Sequence, residues 1–253
     1  MVDSLWFFAL AAPLVLMTGV SKGGFASGLG SITVPLMSLL IDPRQAAAIM
    51  LPILCIMDLL ALWQFRKIWD TEALKSMIPG ALLGIGIGTA TFHLMNVDMM
   101  RLMVGVMALY FVLNFWYGKV RKRDLVAKPH NAAKGGFFGM LSGFTSFVAH
   151  AGGPPVALYL LPLKLDKTLL VGTSVVFFTV VNYTKLIPYT WLGQLTLGNL
   201  TTSLILLPLA PLGIWLGGWL HYHASDRMFY IFFYGVLFVV GLRLTAEGLM
   251  ALL

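Results

Sequence analysis

Long, uninterrupted apolar runs dominate the sequence and constrain its fold more than any other feature. Most of them reach the roughly 17–25 residues that an α-helix needs to cross about 30 Å of hydrocarbon. A transmembrane barrel would show shorter segments of alternating polarity instead. The sequence therefore predicts an all-α, polytopic membrane protein with apolar runs at about 4–20, 24–41, 45–65, 73–94, 99–117, 135–150, 152–163, 168–191, 197–220 and 228–250.

The charge content excludes several classes of protein. Only 11% of the 253 residues are charged, against roughly 25% in an ordinary soluble domain. So few charges exclude a cytosolic globular enzyme, a disordered protein and a disulfide scaffold. The net charge of +7 lies in short gaps between apolar runs rather than on one aqueous face, so we expect a lipid bilayer and no nucleic acid as partner.

The sequence contains no convincing catalytic or cofactor-binding motif. His221 and His223, with Asp226 nearby, resemble a metal-ligand spacing, but we expect them in a cytoplasmic turn, and residues two apart do not share a helix face. No Gly-Lys-Ser/Thr phosphate loop is present. We expect a protein that is not an enzyme and has no cofactor and no metal site.

Two apolar runs are interrupted by glycine and proline. The run 24–41 contains three glycines and Pro35, and the run 152–163 is short and contains two glycines and three prolines. Because proline removes a helical hydrogen bond and glycine weakens a helix, neither run should form a plain spanning helix. We expect broken or re-entrant helices there, with breaks near Ser21–Gly24 and Ala151–Pro155.

The interrupted runs hold matching places in an internal repeat. The offset between paired residues grows in small steps of the kind that loop insertions produce. Nine pairs in order indicate a duplication: Gly19 with Gly139, Gly23 with Gly143 and Pro35 with Pro155 at offset 120; Asp42 with Asp166 and Asp58 with Asn182 at 124; Pro79 with Pro208, Ala81 with Ala210, Gly84 with Gly213 and Gly88 with Gly217 at 129.

A basic connector separates the two halves. Residues 118–134 carry six lysines and arginines against Asp124 alone, so the positive-inside rule places this connector in the cytoplasm. Ten crossings would give each half five, and re-entrant glycine-rich hairpins would give each half three. Because either number of crossings is odd, the second half has the opposite orientation in the membrane to the first. The sequence predicts a helical bundle of two inverted repeats, 1–117 and 135–253, joined by the connector 118–134.

Three stretches resemble the TauE/SafE sulfite exporter family across nearly the whole chain. They are Gly19-Val-Ser-Lys-Gly-Gly-Phe-Ala-Ser-Gly-Leu-Gly30 followed by Pro35, His150-Ala-Gly-Gly-Pro-Pro155, and Asn182-Tyr-Thr-Lys-Leu-Ile-Pro-Tyr189. The resemblance implies a multi-pass protein of the bacterial inner membrane that transports sulfite, sulfonates or related organosulfur anions.

The glycines beside the expected breaks are candidates for a substrate site. In transporters with inverted repeats, half-helix N-termini near the bilayer midplane present free N–H groups to anions. We expect Gly23, Gly24, Gly152 and Gly153 to line such a site, where a missing side chain lets an oxyanion approach. The alternative is close helix packing through small residues, which we favour for Gly28, Gly30, Gly84 and Gly88.

Polar residues inside apolar runs complete the candidate site, because burying them in a membrane is costly. Lys22, His150, Asn182 and Lys185 are candidates for anion binding. The alternatives are a loop lysine for Lys22, a helix cap for His150 and a side chain that reaches the outer interface for Lys185. Asp58 is a candidate for proton coupling, because its repeat partner Asn182 is neutral; a structural hydrogen bond is the alternative.

The leading functional hypothesis is a secondary transporter that exports small sulfur-containing anions, driven by membrane potential or a proton gradient. A proton-coupled uptake permease is the alternative within the same class, and a membrane scaffold without transport is the alternative from another class. The expected partners are the anion and the bilayer, and a homodimer stays open.

Overall fold

The described part of the chain is helical. The computed structural model describes residues 5–24, 33–120, 127–223, 238–239 and 241–251, and no strand occurs within these ranges. The helices with defined ends are α1 (Leu5–Gly24), α2 (Thr33–Met37), α3 (Pro43–Gln64), α4 (Thr71–Thr91), α5 (Val97–Val120), α6 (Ala132–Ala149), α7 (Gly153–Leu160), α8 (Lys167–Trp191), α9 (Leu197–Leu206) and α10 (Leu209–His223).

Several of these helices are long and apolar enough to cross a membrane. Within the described ranges α1, α3, α4 and α8 meet this condition, and α9 with α10 add a fifth span if the bent pair is counted as one. The chain is therefore a multi-pass membrane protein. The sequence predicted one continuous run at 197–220, but the helix bends by 43° between α9 and α10. Pro208 at the bend lacks the N–H that would continue the helix.

Polar side chains define where the helices begin. Asp42 accepts a hydrogen bond from the Arg44 N–H at the start of α3, and Asp166 accepts hydrogen bonds from two amides at the start of α8. These two aspartates are one of the nine matched pairs of the sequence. Asp70 and Asn131 cap α4 and α6 in the same way. Each cap satisfies an amide that has no partner within its helix.

In the described part of the two glycine-rich runs, the helices are too short to span a membrane. The second run contains α2, which has five residues, and the seventh contains α7, which has eight. α6 and α7 form a hairpin in which Ser142 donates to the Gly152 carbonyl at 2.8 Å. The chain before α6 meets the chain after α7 where the Lys128 N–H donates to the Pro162 carbonyl. The runs at 135–150 and 152–163 thus contain two helices, α6 and α7, that pack as a hairpin.

Two helix pairs pack through their backbones. Gly19 on α1 lies against Gly213 on α10, where an added Cβ would be 2.8 Å from the Gly213 Cα. On α4, Gly84 and Gly88 lie against Met140 and Phe147 of α6, and positions advance together along both helices, so this pair is parallel. The predicted packing role of Gly84 and Gly88 is confirmed, whereas Gly28 and Gly30 lie outside the described residues.

The close contact of α4 with α6 predicts that alanine substitutions at two neighbouring glycines change the unfolding free energy in opposite directions. An added Cβ at Gly84 would collide with the backbone of Met140 and Phe144, whereas one at Gly86 would meet nothing within 4 Å. Gly84→Ala is expected to lower the unfolding free energy by about 1–3 kcal/mol. Gly86→Ala is expected to raise it by up to about 1 kcal/mol, because alanine favours the helix. The midpoint temperatures of thermal unfolding of the two variants are compared in the same detergent. Equal midpoint temperatures would contradict this packing.

Candidate membrane-interior polar cluster

A buried carboxylate joins three helices. Asp58, midway along α3, is 1% exposed. Its Oδ1 pairs with Nζ of Lys22 from α1, and its Oδ2 accepts a hydrogen bond from Nδ2 of Asn182 on α8 at 2.7 Å. Both carboxylate oxygens are therefore engaged. The two positions that the sequence repeat matches, 58 and 182, are in direct contact.

A second amine lies one turn farther along α8. Lys185 is fully buried, and its Nζ has three partners: the Ser146 carbonyl and Oγ, each at 3.0 Å, and Nδ1 of His150 at 2.6 Å. Nε2 of His150 lies 2.8 Å from the Ala47 carbonyl. Because a carbonyl only accepts, Nε2 carries the proton, and Nδ1 accepts from Lys185. The imidazole is therefore neutral in this arrangement.

The helical repeat explains why these side chains meet. Asn182 and Lys185 are three residues apart on α8, and Ser146 and His150 are four apart at the end of α6, so each pair shares one helix face. His150 has φ +52° and ends α6, with its backbone N–H donating to the Ser146 carbonyl. Lys22 lies in the last turn of α1, where the helix dipole stabilises a cation. We name Lys22, Asp58, His150, Asn182 and Lys185 the polar cluster.

The structure distinguishes between the alternatives for three of these residues. Lys185 does not extend to an interface, because none of its side chain is exposed. Lys22 is not a loop lysine, because it is helical and paired with Asp58. His150 does cap α6, and its ring also contacts Lys185. The cluster therefore brings together the five polar side chains predicted to bind the anion or to carry the coupled proton.

The candidate glycines lie at helix contacts. Added Cβ atoms at Gly23 and Gly24 would collide with the carbonyls of Ile214 and Gly217 on α10, and one at Gly152 would lie 2.7 Å from Oγ of Ser142. Close packing accounts for these three glycines, and the lining role stays a prediction. Gly153 is the buried first residue of α7.

The structure describes one of the two expected helix breaks. α6 ends at Ala149 and α7 begins at Gly153, so the chain leaves the helix between them. The break expected near Ser21–Gly24 stays a prediction, because α1 is helical through Gly24 and residues 25–32 lie outside the described ranges. The small residues at the end of α1 allow it to approach α10 closely.

His221 and His223 lie on a helix rather than in the expected turn. Both belong to the last turn of α10. His221 is buried, and its Nδ1 donates to the Gly24 carbonyl at 2.7 Å, which ties α10 to α1. Asp226 lies outside the described residues. Within the described ranges, no group of three His, Cys, Asp or Glu side chains is arranged to hold a metal ion.

Sequence reasoning missed two side chains beside the cluster. Ser146 supplies two of the three partners of Lys185, and its signal is the four-residue spacing to His150. Tyr189 is buried one turn beyond Lys185, and its hydroxyl donates to the Phe147 carbonyl at 2.6 Å. This hydrogen bond joins α8 to α6 directly beside His150.

The space beside Lys22 and Asp58 is small. A cavity of about 10 Å³ lies between these two residues and a wall formed by α8, which includes Ser174 and Phe178. That volume suits about one water molecule. A sulfur oxyanion is larger than a water molecule, so the cavity admits one only if α1 and α8 move apart.

Comparison with known proteins identifies a family. The family model described as Sulfite exporter TauE/SafE matches residues 11–244. No curated protein sequence and no solved structure matches the chain. The matched region contains every residue of the polar cluster and most of the 253 residues. The chain belongs to the TauE/SafE sulfite exporter family.

Proposed function

We propose that this protein is a secondary transporter that exports small sulfur-containing anions, such as sulfite or organosulfonates, across the bacterial inner membrane. We propose that the polar cluster binds the anion. The observation that carries the proposal is the composition of the cluster: in the described residues it combines the buried amine of Lys185 and the partly buried amine of Lys22 with one buried carboxylate, Asp58.

The charge balance of the cluster favours an anionic ligand. When ionised, the two lysines and Asp58 sum to one positive charge, because His150 is neutral in the arrangement described. An uncompensated charge inside a membrane is costly, and a bound anion would compensate it. Lys185 is the residue without a carboxylate partner, since its contacts are Ser146 and His150. In the proposed site the anion lies between the two amines, next to Asn182.

The proposed cycle requires the helices to separate. The cavity beside Lys22 is bounded by α8, so an opening between α1 and α8 would admit the anion to both lysines. Lys22 would then exchange part of its contact with Asp58 for the anion. In this proposal the lysine side chains bind the anion. Gly23, Gly24 and Gly152 are not assigned to binding, because their Cα atoms lie against neighbouring helices or side chains.

The membrane potential suffices to drive export. A cytoplasm that is negative by 100 mV favours the exit of each negative charge by about 2.3 kcal/mol. That energy corresponds to a concentration ratio of roughly 50 for a monovalent anion. Export by uniport therefore needs no second substrate.

Purified protein in liposomes tests this function. Sulfite, a singly charged sulfonate such as methanesulfonate, sulfate and chloride are each placed inside, and efflux is followed under an imposed voltage. Voltage-dependent efflux of sulfite or the sulfonate, faster than that of chloride, is the expected result. Protein that is folded but moves none of these anions under voltage or a pH gradient would favour a membrane scaffold.

The Lys22–Asp58 ion pair favours a second candidate, proton-coupled uptake. A proton on Asp58 would neutralise the carboxylate and release Lys22 for the anion, so a proton and an anion would bind together. If the anion crosses together with a proton, an acidic exterior drives uptake of the anion. The liposome assay separates the two candidates, because only this one predicts anion accumulation under a pH gradient at zero voltage.

Helix packing supports the proposed inverted repeat. By the sequence offsets, α1 corresponds to α6, and α4 corresponds to α9 with α10. α1 packs on α10, and α6 packs on α4, so the first helix of each half contacts the fourth segment of the other. A two-fold relation between the halves would produce this reciprocal exchange.

Cysteine labelling tests the orientation of the halves. In a Cys55→Ala background, Ala133→Cys beside the connector is expected to react only with reagents that reach the cytoplasm. Leu40→Cys, near the start of α3, is expected to react from outside. α3 is 22 residues long and separates its two ends by about 33 Å. Labelling of both cysteines from the same side would contradict the proposed orientation.

A further inference from the structure

A second cavity lies far from the polar cluster, between α6, α7 and the chain that precedes α6. It has a volume of about 380 Å³. Its wall is apolar and includes Phe138, Leu158 and Leu163, and its rim is polar and includes Lys128, Asn131 and Lys134. This volume falls in the range of about 300–1,000 Å³ that is typical of small-molecule sites. The combination of an apolar wall and a basic rim suits an amphiphile.

The rim is positively charged without local compensation. Lys128 and Lys134 are exposed, and neither forms an ion pair with a described residue. None of the described residues that line the cavity is acidic. The nearby Asp70 and Glu72 face His130 instead, with separations of 3.4 and 3.9 Å.

The start of α6 adds to the positive potential at this rim. Asn131 caps the helix by accepting from the Lys134 N–H at 2.9 Å. The amides of Ala132 and Ala133, at the first two helical positions, have no partner within the helix. The N-terminal end of the helix dipole therefore points to the same rim as the two lysines.

A buried hydroxyl in the cavity wall is without a partner. Tyr159 on α7 is 5% exposed, and its hydroxyl makes no hydrogen bond in the described part of the chain. It lies beside the first turn of α6, where an added Cβ on Gly135 would be 3.2 Å from the hydroxyl oxygen. A buried hydroxyl ordinarily has a hydrogen-bond partner, so its lack of one indicates that a ligand supplies it.

The cavity lies at one end of the helical bundle. The starts of α4 and α6 meet there through His130 and Asp70, and the Asp70 N–H donates to Oγ1 of Thr173 near the start of α8 at 2.8 Å. The lysine-rich connector precedes α6 in the sequence, and apolar helices extend from this end of the bundle. The cavity is therefore expected at the level where lipid headgroups meet acyl chains.

We propose that this cavity binds an anionic phospholipid. The phosphate lies between Lys128 and Lys134 at the start of α6, the first part of an acyl chain contacts Phe138, Leu158 and Leu163, and an ester oxygen accepts from the Tyr159 hydroxyl. A free phosphate shares the headgroup chemistry, but it leaves the apolar wall uncovered. A zwitterionic lipid covers that wall but carries a compensating cation. The apolar wall and the unpaired lysines together select the anionic lipid.

Lipid titration of the purified, delipidated protein in detergent tests the proposal. Phosphatidylglycerol, phosphatidylcholine, glycerol phosphate and inorganic phosphate are compared by the fraction bound in native mass spectrometry and by the shift in Tm. Phosphatidylglycerol is expected to bind tightest and the two water-soluble phosphates weakest. The double variant Lys128→Gln/Lys134→Gln is expected to weaken phosphatidylglycerol binding about 30-fold. The matched control Lys67→Gln/Lys75→Gln, exposed lysines away from the cavity, is expected to bind as the original protein does.

Two further variants probe the wall of the cavity. Leu158→Trp, which fills the apolar part, is expected to weaken phosphatidylglycerol binding. Tyr159→Phe is expected to weaken it about 5-fold without lowering the lipid-free Tm, since the hydroxyl has no protein partner to lose. Equal binding of phosphatidylglycerol and phosphatidylcholine, binding of inorganic phosphate as tight as the lipid, or an unchanged Lys128→Gln/Lys134→Gln variant would each overturn the proposal.

Discussion

Lys185→Met is expected to reduce anion efflux from liposomes by at least about 30-fold, the largest effect of any single substitution in the polar cluster. Methionine keeps a similar length but removes the amine, which has no carboxylate partner among the described residues. Loss of a buried charged hydrogen-bonding partner costs about 2–5 kcal/mol in binding, which corresponds to a factor of roughly 30 to several thousand. Efflux of sulfite per folded molecule is the measurement, and Lys75→Met, an exposed lysine on α4, is the control.

A structural role for Lys185 predicts a different outcome. Lys185 links α8 to α6 through Ser146 and His150, so its loss would then lower yield and Tm. Transport by the molecules that remain folded would be unchanged. A Lys185→Met protein with normal efflux per folded molecule would therefore exclude Lys185 from anion binding.

Asp58→Asn is expected to affect anion transport driven by voltage and anion transport driven by a pH gradient differently. The change removes the carboxylate that pairs with Lys22 and makes position 58 the same residue as its repeat partner, Asn182. Efflux driven by voltage is expected to persist, because both amines remain. Accumulation driven by a pH gradient at zero voltage is expected to disappear. Both drives are measured on one liposome preparation.

The control for this experiment is Asp166→Asn. Asp166 is an exposed carboxylate that caps α8, and asparagine caps a helix about as well as aspartate does. This variant is expected to retain both activities. If Asp58→Asn also retains full movement under a pH gradient, then Asp58 does not carry the coupled proton. If both drives fall together with protein yield, the role of Asp58 is structural.

The helical membrane fold could be predicted from hydropathy because it is a property of each segment alone. The cost of burying polar groups in lipid also identified Lys22, Asp58, His150 and Lys185 one by one, and the internal repeat added Asn182. Their pairing could not be predicted in the same way. Lys22 and Asp58 are 36 residues apart on different helices, and the helical period does not determine which faces meet.

The other differences between sequence and structure have the same origin. A glycine in a membrane helix can line a site or allow a close backbone approach, and only the position of the neighbouring helix decides between them. At Gly23 and Gly24 that neighbour is α10, whose sequence lies about 190 residues away. The bend after Leu206 does not follow from Pro208 alone, because its repeat partner Pro79 lies within the regular helix α4.

The packing of α1 on α10 also affects how the protein is made. α1 ends at Gly24 and α10 begins at Leu209, so the first helix leaves the ribosome well before its partner exists. At about 5–20 residues per second the delay is on the order of 10 to 40 s. During this interval the glycine face of α1 lies against lipid or an insertion factor. Termination of synthesis before α10 would therefore leave the glycine face of α1 without the helix that covers it.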